Sequence, residues 1–296
     1  MAETDLANSD HPWTVRRIIA WTTDHLTQHG SETPRLDAEV LLAHARRCGR
    51  IDLYTRFDEV LTDEERGRMR NLVRRRAKSE PVAYLVGHRE FFSLEFEVTL
   101  DVLIPRPDTE TLVMELLDTV KESPAPRVLD LGTGSGCIAI ATAANNPQVQ
   151  MTAVDIAAAA LEVARRNAKT HRMSDRIRFL CGDLFDPLAP DEQFEAIVSN
   201  PPYIREQDLA SLQPDVRLHE PVSALVGGPD GLDVIRRLIG GVSCHLVSGG
   251  SLLLEISPEQ ATTVAGLLSS AGCFSAITVV KDLAGQERVV RAQRNG

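Results

Sequence analysis

The chain has 296 residues, a formal net charge of −10, 43% hydrophobic residues and 25% charged ones. That length accommodates two domains and a sizeable core, while the acidic balance excludes a protein that grips nucleic acid over a broad surface, because that mode needs an excess of phosphate-neutralising Lys and Arg. The five cysteines, Cys48, Cys137, Cys181, Cys244 and Cys273, are scattered and never spaced C-x-x-C, which fits a reducing cytoplasm and no disulfide frame or zinc site.

The start, Met1-Ala2-Glu3-Thr4-Asp5, is acidic and has no apolar core, unlike a signal peptide, and residues 1–12 are expected to be disordered. No apolar run approaches the roughly eighteen residues of a membrane span. From Thr14 to about His29, Val15, Ile18, Ile19 and Leu26 recur at helical spacing, with Thr14 as the expected cap. A second helix is expected over about Arg35–Arg47, stopped by Gly49. Thr62-Asp63-Glu64-Glu65 has the form of a capping box and opens a third helix that ends near Ser79, before Pro81. Within Glu65–Lys78 the basic residues are Arg66, Arg68, Arg70, Arg74, Arg75, Arg76 and Lys78, seven against Glu65 alone. They form either a solvated face or a surface that steers a macromolecular partner. These helices make a small module, residues 13–80, too short for an independent enzyme.

Phe92, Leu94, Phe96 and Val98 alternate with period two and read as a strand of a β-hairpin linker over 81–104. Ile104-Pro105-Arg106-Pro107-Asp108-Thr109-Glu110 follows, with two prolines stiffening the chain around one arginine. Asp108 or Thr109 is expected to cap the helix that carries Leu112, Leu116 and Val120.

From Arg127 onward strands alternate with helices, the pattern of a parallel sheet. Strand Arg127–Leu131 runs into Gly132-Thr133-Gly134-Ser135-Gly136, a turn whose backbone can approach a ligand at a helix N-terminus. It lacks the last glycine of the dinucleotide fingerprint, since Cys137 stands there. The next strand ends in Asp155, where a carboxylate can accept both hydroxyls of a ribose. A third ends before Asp183 and Leu184, placed to accept from an exocyclic amine of a purine and to cover its ring. Strand Phe194–Val198 delivers Ser199-Asn200-Pro201-Pro202-Tyr203, a stiff loop rich in acceptors beside a flat aromatic face. A polar connection over 204–232 has the length of a lid or insertion, and two strands with no helix between them close the chain.

The Gly-rich turn, the acid after the second strand and Asn200-Pro201-Pro202-Tyr203 together resemble class I S-adenosylmethionine-dependent methyltransferases. With Arg89-Glu90-Phe91, Ile104-Pro105-Arg106-Pro107 and Glu220-Pro221-Val222-Ser223-Ala224-Leu225, the chain more closely resembles the release-factor glutamine N5-methyltransferases, the HemK/PrmC family, over roughly residues 14–291. The resemblance implies an α/β fold: a Rossmann-like, seven-stranded and mostly parallel sheet with one antiparallel strand, occupying 105–296, after the helical substrate-recognition domain. It implies S-adenosyl-L-methionine as cofactor and S-adenosyl-L-homocysteine as product. Gly132, Thr133, Gly134, Ser135, Gly136, Asp155, Asp183, Leu184 and Asn200 would hold the cofactor, with Arg106 and Pro107 closing the pocket. Asn200, Pro201, Pro202 and Tyr203 would bind and activate the substrate amide. The implied partner is a peptide chain release factor, with no stable nucleic-acid binding, no membrane and a cytoplasmic monomer; no metal is expected. Pro107 favours release factors over a ribosomal-protein glutamine, where serine typically follows Pro-Arg. His219 and Ser93 depart from the aromatic and the glycine common at those places.

Physical chemistry agrees with the motif. A carboxamide nitrogen is a poor nucleophile because its lone pair is delocalised into the carbonyl, so a site must orient it toward a reactive methyl group rather than offer a strong base. The same Asn-Pro-Pro-aromatic arrangement suits any planar N–H2 group, which leaves an exocyclic amine of DNA or RNA as an alternative. A nicotinamide-dependent oxidoreductase and a non-catalytic adapter fit less well.

Overall fold

The computed structural model describes residues 12–296, so the disordered start expected for 1–12 lies, apart from Pro12, outside the described residues. The chain begins with helices α1 (Val15–Gln28), α2 (Pro34–Arg46), α3 (Arg50–Thr55), α4 (Asp63–Arg76) and α5 (Val82–Val86). The hairpin β1 (His88–Phe91) and β2 (Leu94–Glu97) follows, then α6 (Thr109–Val120), β3 (Arg127–Leu131), α7 (Cys137–Asn145), β4 (Gln150–Asp155), α8 (Ala158–Thr170) and β5 (Ile177–Cys181). The remaining elements are β6 (Phe194–Ser199), α9 (Pro214–His219), α10 (Asp233–His245), β7 (Leu246–Glu255), α11 (Ala261–Ser270), β8 (Phe274–Lys281) and β9 (Glu287–Arg294). They form two compact units: the described residues up to Gly87 with Pro214–His219, and His88–Gln213 with Glu220–Gly296.

In the smaller unit, Val15, Ile18, Ile19 and Leu26 of α1 pack on Leu41 and Leu42 of α2 and on Met69, Leu72 and Val73 of α4. Thr14 caps α1 by accepting from the Arg17 amide, and the box at α4 is complete, with the Glu65 amide donating to Thr62 Oγ1 at 3.2 Å and the Thr62 amide to Glu65 Oε2 at 2.8 Å. Gly49 does not stop α2. Arg47 takes the left-handed conformation there, at φ 56, and Gly49 instead precedes α3 as its N-cap. Arg66, Arg68 and Arg75 have partners in Asp63, Glu64 and Glu80, and Arg76 lies 2.7 Å from Asp37 and 3.6 Å from Asp215 of α9. These pairs leave the basic run of α4 less open than its composition suggests.

The larger unit is built on a seven-stranded sheet in the order β5-β4-β3-β6-β7-β9-β8. All neighbours are parallel except at β9, which pairs antiparallel with both β7 and β8 and lies between them. Central strands buried on both faces read as continuous apolar runs rather than alternations, as Val128-Leu129 and Ala196-Ile197-Val198 do. One face of the sheet packs on α6, α7 and the hairpin through Leu112, Leu116, Ile138, Ile140, Phe91 and Phe96; the other packs on α10 and α11 through Ile235, Leu238, Val264 and Leu268. Each such fully buried aliphatic side chain contributes roughly 1.5–3 kcal/mol of transfer free energy. The two-residue turn of the hairpin, Phe92-Ser93, has φ of 50 and 60. Ser93 therefore carries the left-handed strain that a glycine would avoid.

The chain leaves β3 toward β4 and β5 on one side and returns through β6 and β7 on the other, so the strand order reverses between β3 and β6. Leu131 pairs with Ser199 at that point. Gly132 and Asn200 consequently emerge side by side at the carboxyl ends of neighbouring strands, the place where open α/β sheets bind ligands.

Candidate active site

A cleft opens at these strand ends, and its lining includes Gly132, Gly134, Asp155, Asp183, Leu184, Asn200 and Pro202. The amides of Gly132 and Thr133 donate to the Val154 carbonyl at 2.9 and 3.0 Å, which bends the turn back over β4. Gly134, at φ 56, donates its amide to Asp155 Oδ2 at 2.8 Å, and the Ala157 amide reaches Asp155 Oδ1 at 2.9 Å. The Asp155 carboxylate is thus fixed by two backbone donors at the lip of the cleft. Burial raises its pKa, and those amides oppose the rise. Asp183 Oδ2 accepts from Arg237 at 2.7 Å, so one of its oxygens already has a cationic partner.

Thr133, Ser135 and Gly136 do not line the cleft. Thr133 and Ser135 are buried beneath it, and Gly136 is the N-cap of α7, closely approached by Ile140 and Ala164. Thr133 Oγ1 donates to Asp130 Oδ2 at 2.6 Å. The sequence reading passes over Asp130, although its place just ahead of the glycines was a signal. It is wholly buried, its Oδ1 has no hydrogen-bond partner, and burial together with the Asp155 charge pushes its pKa up to about 7, against the opposing Thr133 bond. Asn167 of α8 donates from Nδ2 to the Ser135 carbonyl at 2.9 Å and to the Glu97 carbonyl at 3.0 Å, tying the turn to the hairpin.

On the other wall, Asn200 Nδ2 donates to Thr109 Oγ1 at 3.2 Å. Thr109 is buried, and neither it nor Asp108 caps α6 through its side chain; Asp108 instead pairs with Arg288 at 2.9 Å. Pro201, Tyr203, Arg106 and Pro107 are absent from the cleft lining. Tyr203 Oη donates to Glu255 Oε1 at 3.5 Å, a long bond, and burial beside that acid raises the phenol's pKa. Arg106 donates to the buried Glu220 carboxylate, whose other oxygen accepts from the Ile104 amide at 3.4 Å. This pair ties the Pro-Arg-Pro segment to Glu220-Pro221.

The Asn-Pro-Pro-Tyr loop is held from behind by the Gly-Gly-Pro-Asp-Gly segment. A Cβ on Gly227 would lie 2.4 Å from the Pro202 carbonyl oxygen, and one on Gly231 would lie 2.3 Å from that of Tyr203. Gln260 Nε2 donates to both the Tyr203 and Gly231 carbonyls, at 3.0 and 3.3 Å. Glu255, at the end of β7, is fully buried with Oε2 unpartnered; burial lifts its pKa to about 7 against a hydrogen bond from Thr109, the Arg288 charge and the Tyr203 hydroxyl.

Comparison with known proteins is decisive about ancestry. The chain is 49% identical to a release factor glutamine methyltransferase of Rhodopirellula baltica, over 99% of this chain and 100% of that one. The chain belongs to the release factor glutamine methyltransferase family. A Geobacter sulfurreducens member is 45% identical over 94% of this chain and 96% of its own length. Within the family frame, residues 17–87 match the PrmC N-terminal domain and 107–215 the methyltransferase small domain. A solved methyltransferase structure from Pyrococcus furiosus, 17% identical, superposes with a TM-score of 0.51 over 70% of this chain and 91% of that one, a likeness of fold. The fold is accordingly that of the class I methyltransferases, with an added N-terminal helical domain. Among the described residues no helix is long and apolar enough to cross a membrane.

Proposed function

We propose that this chain moves the methyl group of S-adenosylmethionine to the side-chain nitrogen of the glutamine in the Gly-Gly-Gln motif of a peptide chain release factor, leaving S-adenosylhomocysteine. The observation that carries the reading is Asn200: its Nδ2 is engaged by Thr109, which leaves Oδ1 as the acceptor available to the cleft shared with Gly132, Gly134 and Asp155.

The residues present fit the cofactor. Asp130 Oδ1 is an orphaned acceptor on a buried carboxylate beneath the glycine turn, the kind of group that a cationic ligand stabilises. The Gly132 to Gly134 backbone would border the amino-acid part, Asp155 the ribose, and Asp183 with Leu184 the adenine. When bound, S-adenosylmethionine supplies an electrophilic methyl group on a positively charged sulfur. The protein's part is orientation. Asn200 Oδ1 and the Pro201 carbonyl each accept one N–H of the substrate amide, which turns the nitrogen lone pair out of conjugation and toward the methyl group. Pro201 and Pro202 fix φ and so hold the two acceptors at constant separation. Tyr203 lays its ring against the amide and favours the cationic character that develops there. Transfer of that methyl group to the nitrogen would leave the electron pair of the broken S–C bond on sulfur, and the amide proton, made acidic by alkylation, would leave to solvent.

The helical module of residues 13–80 recognises the body of the release factor, in a cytoplasmic, monomeric enzyme. A nucleic-acid amine is disfavoured as the substrate by the net charge of −10. Replacing Asn200 by Ala tests the assignment. Transfer should be abolished with cofactor affinity within about threefold of the parent, as for a group needed only in the transition state; loss of cofactor binding as well would make Asn200 structural.

A further inference from the structure

Asn200-Pro201-Pro202-Tyr203 is a loop, and the two acceptors assigned to it stay in place only if both of its ends do. Its amino end leaves β6, where Ser199 Oγ donates to the Leu131 carbonyl at 2.7 Å. Its carboxyl end lies in no strand of the sheet. There the Ile204 amide donates to the Leu225 carbonyl and the Gly227 amide to the Ile204 carbonyl, each at 2.9 Å. Those bonds tie one loop to another and leave the pair in need of a rigid support.

Gln260 supplies it. This buried side chain ends the short turn Pro258–Gln260, which joins β7 to α11. Its Nε2 donates to the Tyr203 carbonyl at 3.0 Å and to the Gly231 carbonyl at 3.3 Å, while its Oε1 accepts from the Ser257 amide at 3.2 Å. The carboxamide cannot be turned over, because the two carbonyl oxygens only accept and the Ser257 N–H only donates. Both Nε2 hydrogens are therefore committed to main-chain carbonyls, 57 and 29 residues away in sequence. An apolar side chain of the same length would fill the space and leave both carbonyls without that donor. Tyr203 also meets this stretch through its ring, whose Oη donates to Glu255 Oε1 at 3.5 Å. Residues 255 and 260 thus hold Tyr203 by hydroxyl and by carbonyl.

We infer that Gln260 is a positioning residue of the transfer site: its carboxamide, oriented by Ser257, pins the Tyr203 and Gly231 carbonyls and so sets the place at which Asn200 Oδ1 and the Pro201 carbonyl meet the substrate amide. The inference rests on the function proposed above, although the clamp itself exists without any ligand. Gln260 does not line the cleft and touches no reacting atom.

The test uses the full chain with Gln260→Glu and Gln260→Met, both close to the parent in side-chain length. An introduced carboxylate accepts only and faces two carbonyls to which it can give nothing, whereas its protonated form can donate to one of them. Burial raises the pKa of such a carboxyl. At about pH 8 both variants should lower kcat about 10- to 100-fold, with cofactor affinity and KM for the release factor within about threefold, because the displacement is felt at the reacting nitrogen. Taken as a ratio to the parent at each pH, kcat of Gln260→Glu should recover at least about threefold on going from about pH 8 to about pH 6, and that of Gln260→Met should not. Glu255 with Arg288 and Asp108, the Tyr203 hydroxyl, and Glu259 with Arg205 and Asp208 are common to parent and variants and cancel in the ratio. A kcat within about threefold of the parent at pH 8, a flat ratio for Gln260→Glu, or an equal loss of cofactor affinity would overturn the inference. A measurement on the parent is independent of how the variants fold: in isotope-labelled protein the Nε2 hydrogens of Gln260 should exchange with solvent at least about tenfold more slowly than those of the exposed Gln28. Equal exchange rates would overturn the clamp. A parent that transfers no methyl group to glutamine would instead overturn the function and leave the exchange measurement to decide the clamp.

Discussion

Gly227→Ala isolates the placement of the catalytic loop from its chemistry. Gly227 is not held at a left-handed φ, so an added methyl brings no backbone strain, only contact. That contact is severe: the Cβ would stand 2.4 Å from the Pro202 carbonyl oxygen and 2.7 Å from that of Gly231, both backbone atoms, whereas ordinary contacts begin at 3.4 Å. The Pro202 carbonyl must retreat by about 1 Å, taking with it the acceptors of Asn200 and Pro201, because two successive prolines fix φ and leave the loop fewer torsions with which to absorb the shift. A displacement of about 1 Å at a reacting centre costs on the order of 100-fold in rate. Transfer of labelled methyl groups to a release factor should therefore fall by about that factor in kcat. Cofactor affinity, measured by calorimetry, should change far less, since Gly134 and Asp155 lie on the far wall. A variant with kcat within threefold of the parent and an unchanged melting temperature would refute the view that this glycine segment sets the loop's position.

The two buried acids give a pH prediction. Asp130 and Glu255 have folded pKa values near 7, above their ordinary values of 3.8 and 4.5, so the stability they contribute is complete below the ordinary values and is lost as pH rises through about 7. Melting temperature should decline between about pH 5 and pH 8, and Asp130→Asn should flatten that decline; a parallel curve in the variant would contradict the burial argument. Asp130→Asn should also weaken S-adenosylmethionine about tenfold or more by removing the charge beneath the glycine turn, as equilibrium dialysis would report. Arg106→Ala leaves the Glu220 carboxylate buried without its guanidinium. The Glu220 side chain is 1% exposed and Arg106 32%, so the cost should be about 2–3 kcal/mol, below that of a wholly buried pair, read as a lower denaturant midpoint with unchanged slope.

What could be read from the sequence was what local chemistry dictates. The helix faces of α1, α2 and α4, the Thr62–Glu65 box and the apolar strands of the sheet follow from periodicity and capping, and β9 emerged as the antiparallel strand from two closing strands without a helix between them. The turn of Gly132 to Gly136 and Asn200-Pro201-Pro202-Tyr203 were visible as motifs. Their adjacency follows from the strand order reversing at β3 and β6. Local rules misled where a longer-range partner took over: Gly49 gave the left-handed position to Arg47, and Asp108 gave up capping for Arg288. The parts of the site that went unseen all act at a distance in sequence. Thr109 reaches Asn200 and Glu255 reaches Tyr203 only through folding, and Gly227 and Gly231 matter because another backbone lies within 2.4 Å of where their side chains would be. No residue pattern within one segment reports such contacts.

The most direct test of the whole account is to incubate the purified protein with labelled S-adenosylmethionine and an equimolar mixture of a release factor, ribosomal RNA and DNA, then map the label by mass spectrometry. The account predicts one methyl group on the glutamine of the Gly-Gly-Gln loop, lost in Asn200→Ala. Label on the nucleic acids with the release factor untouched would contradict it.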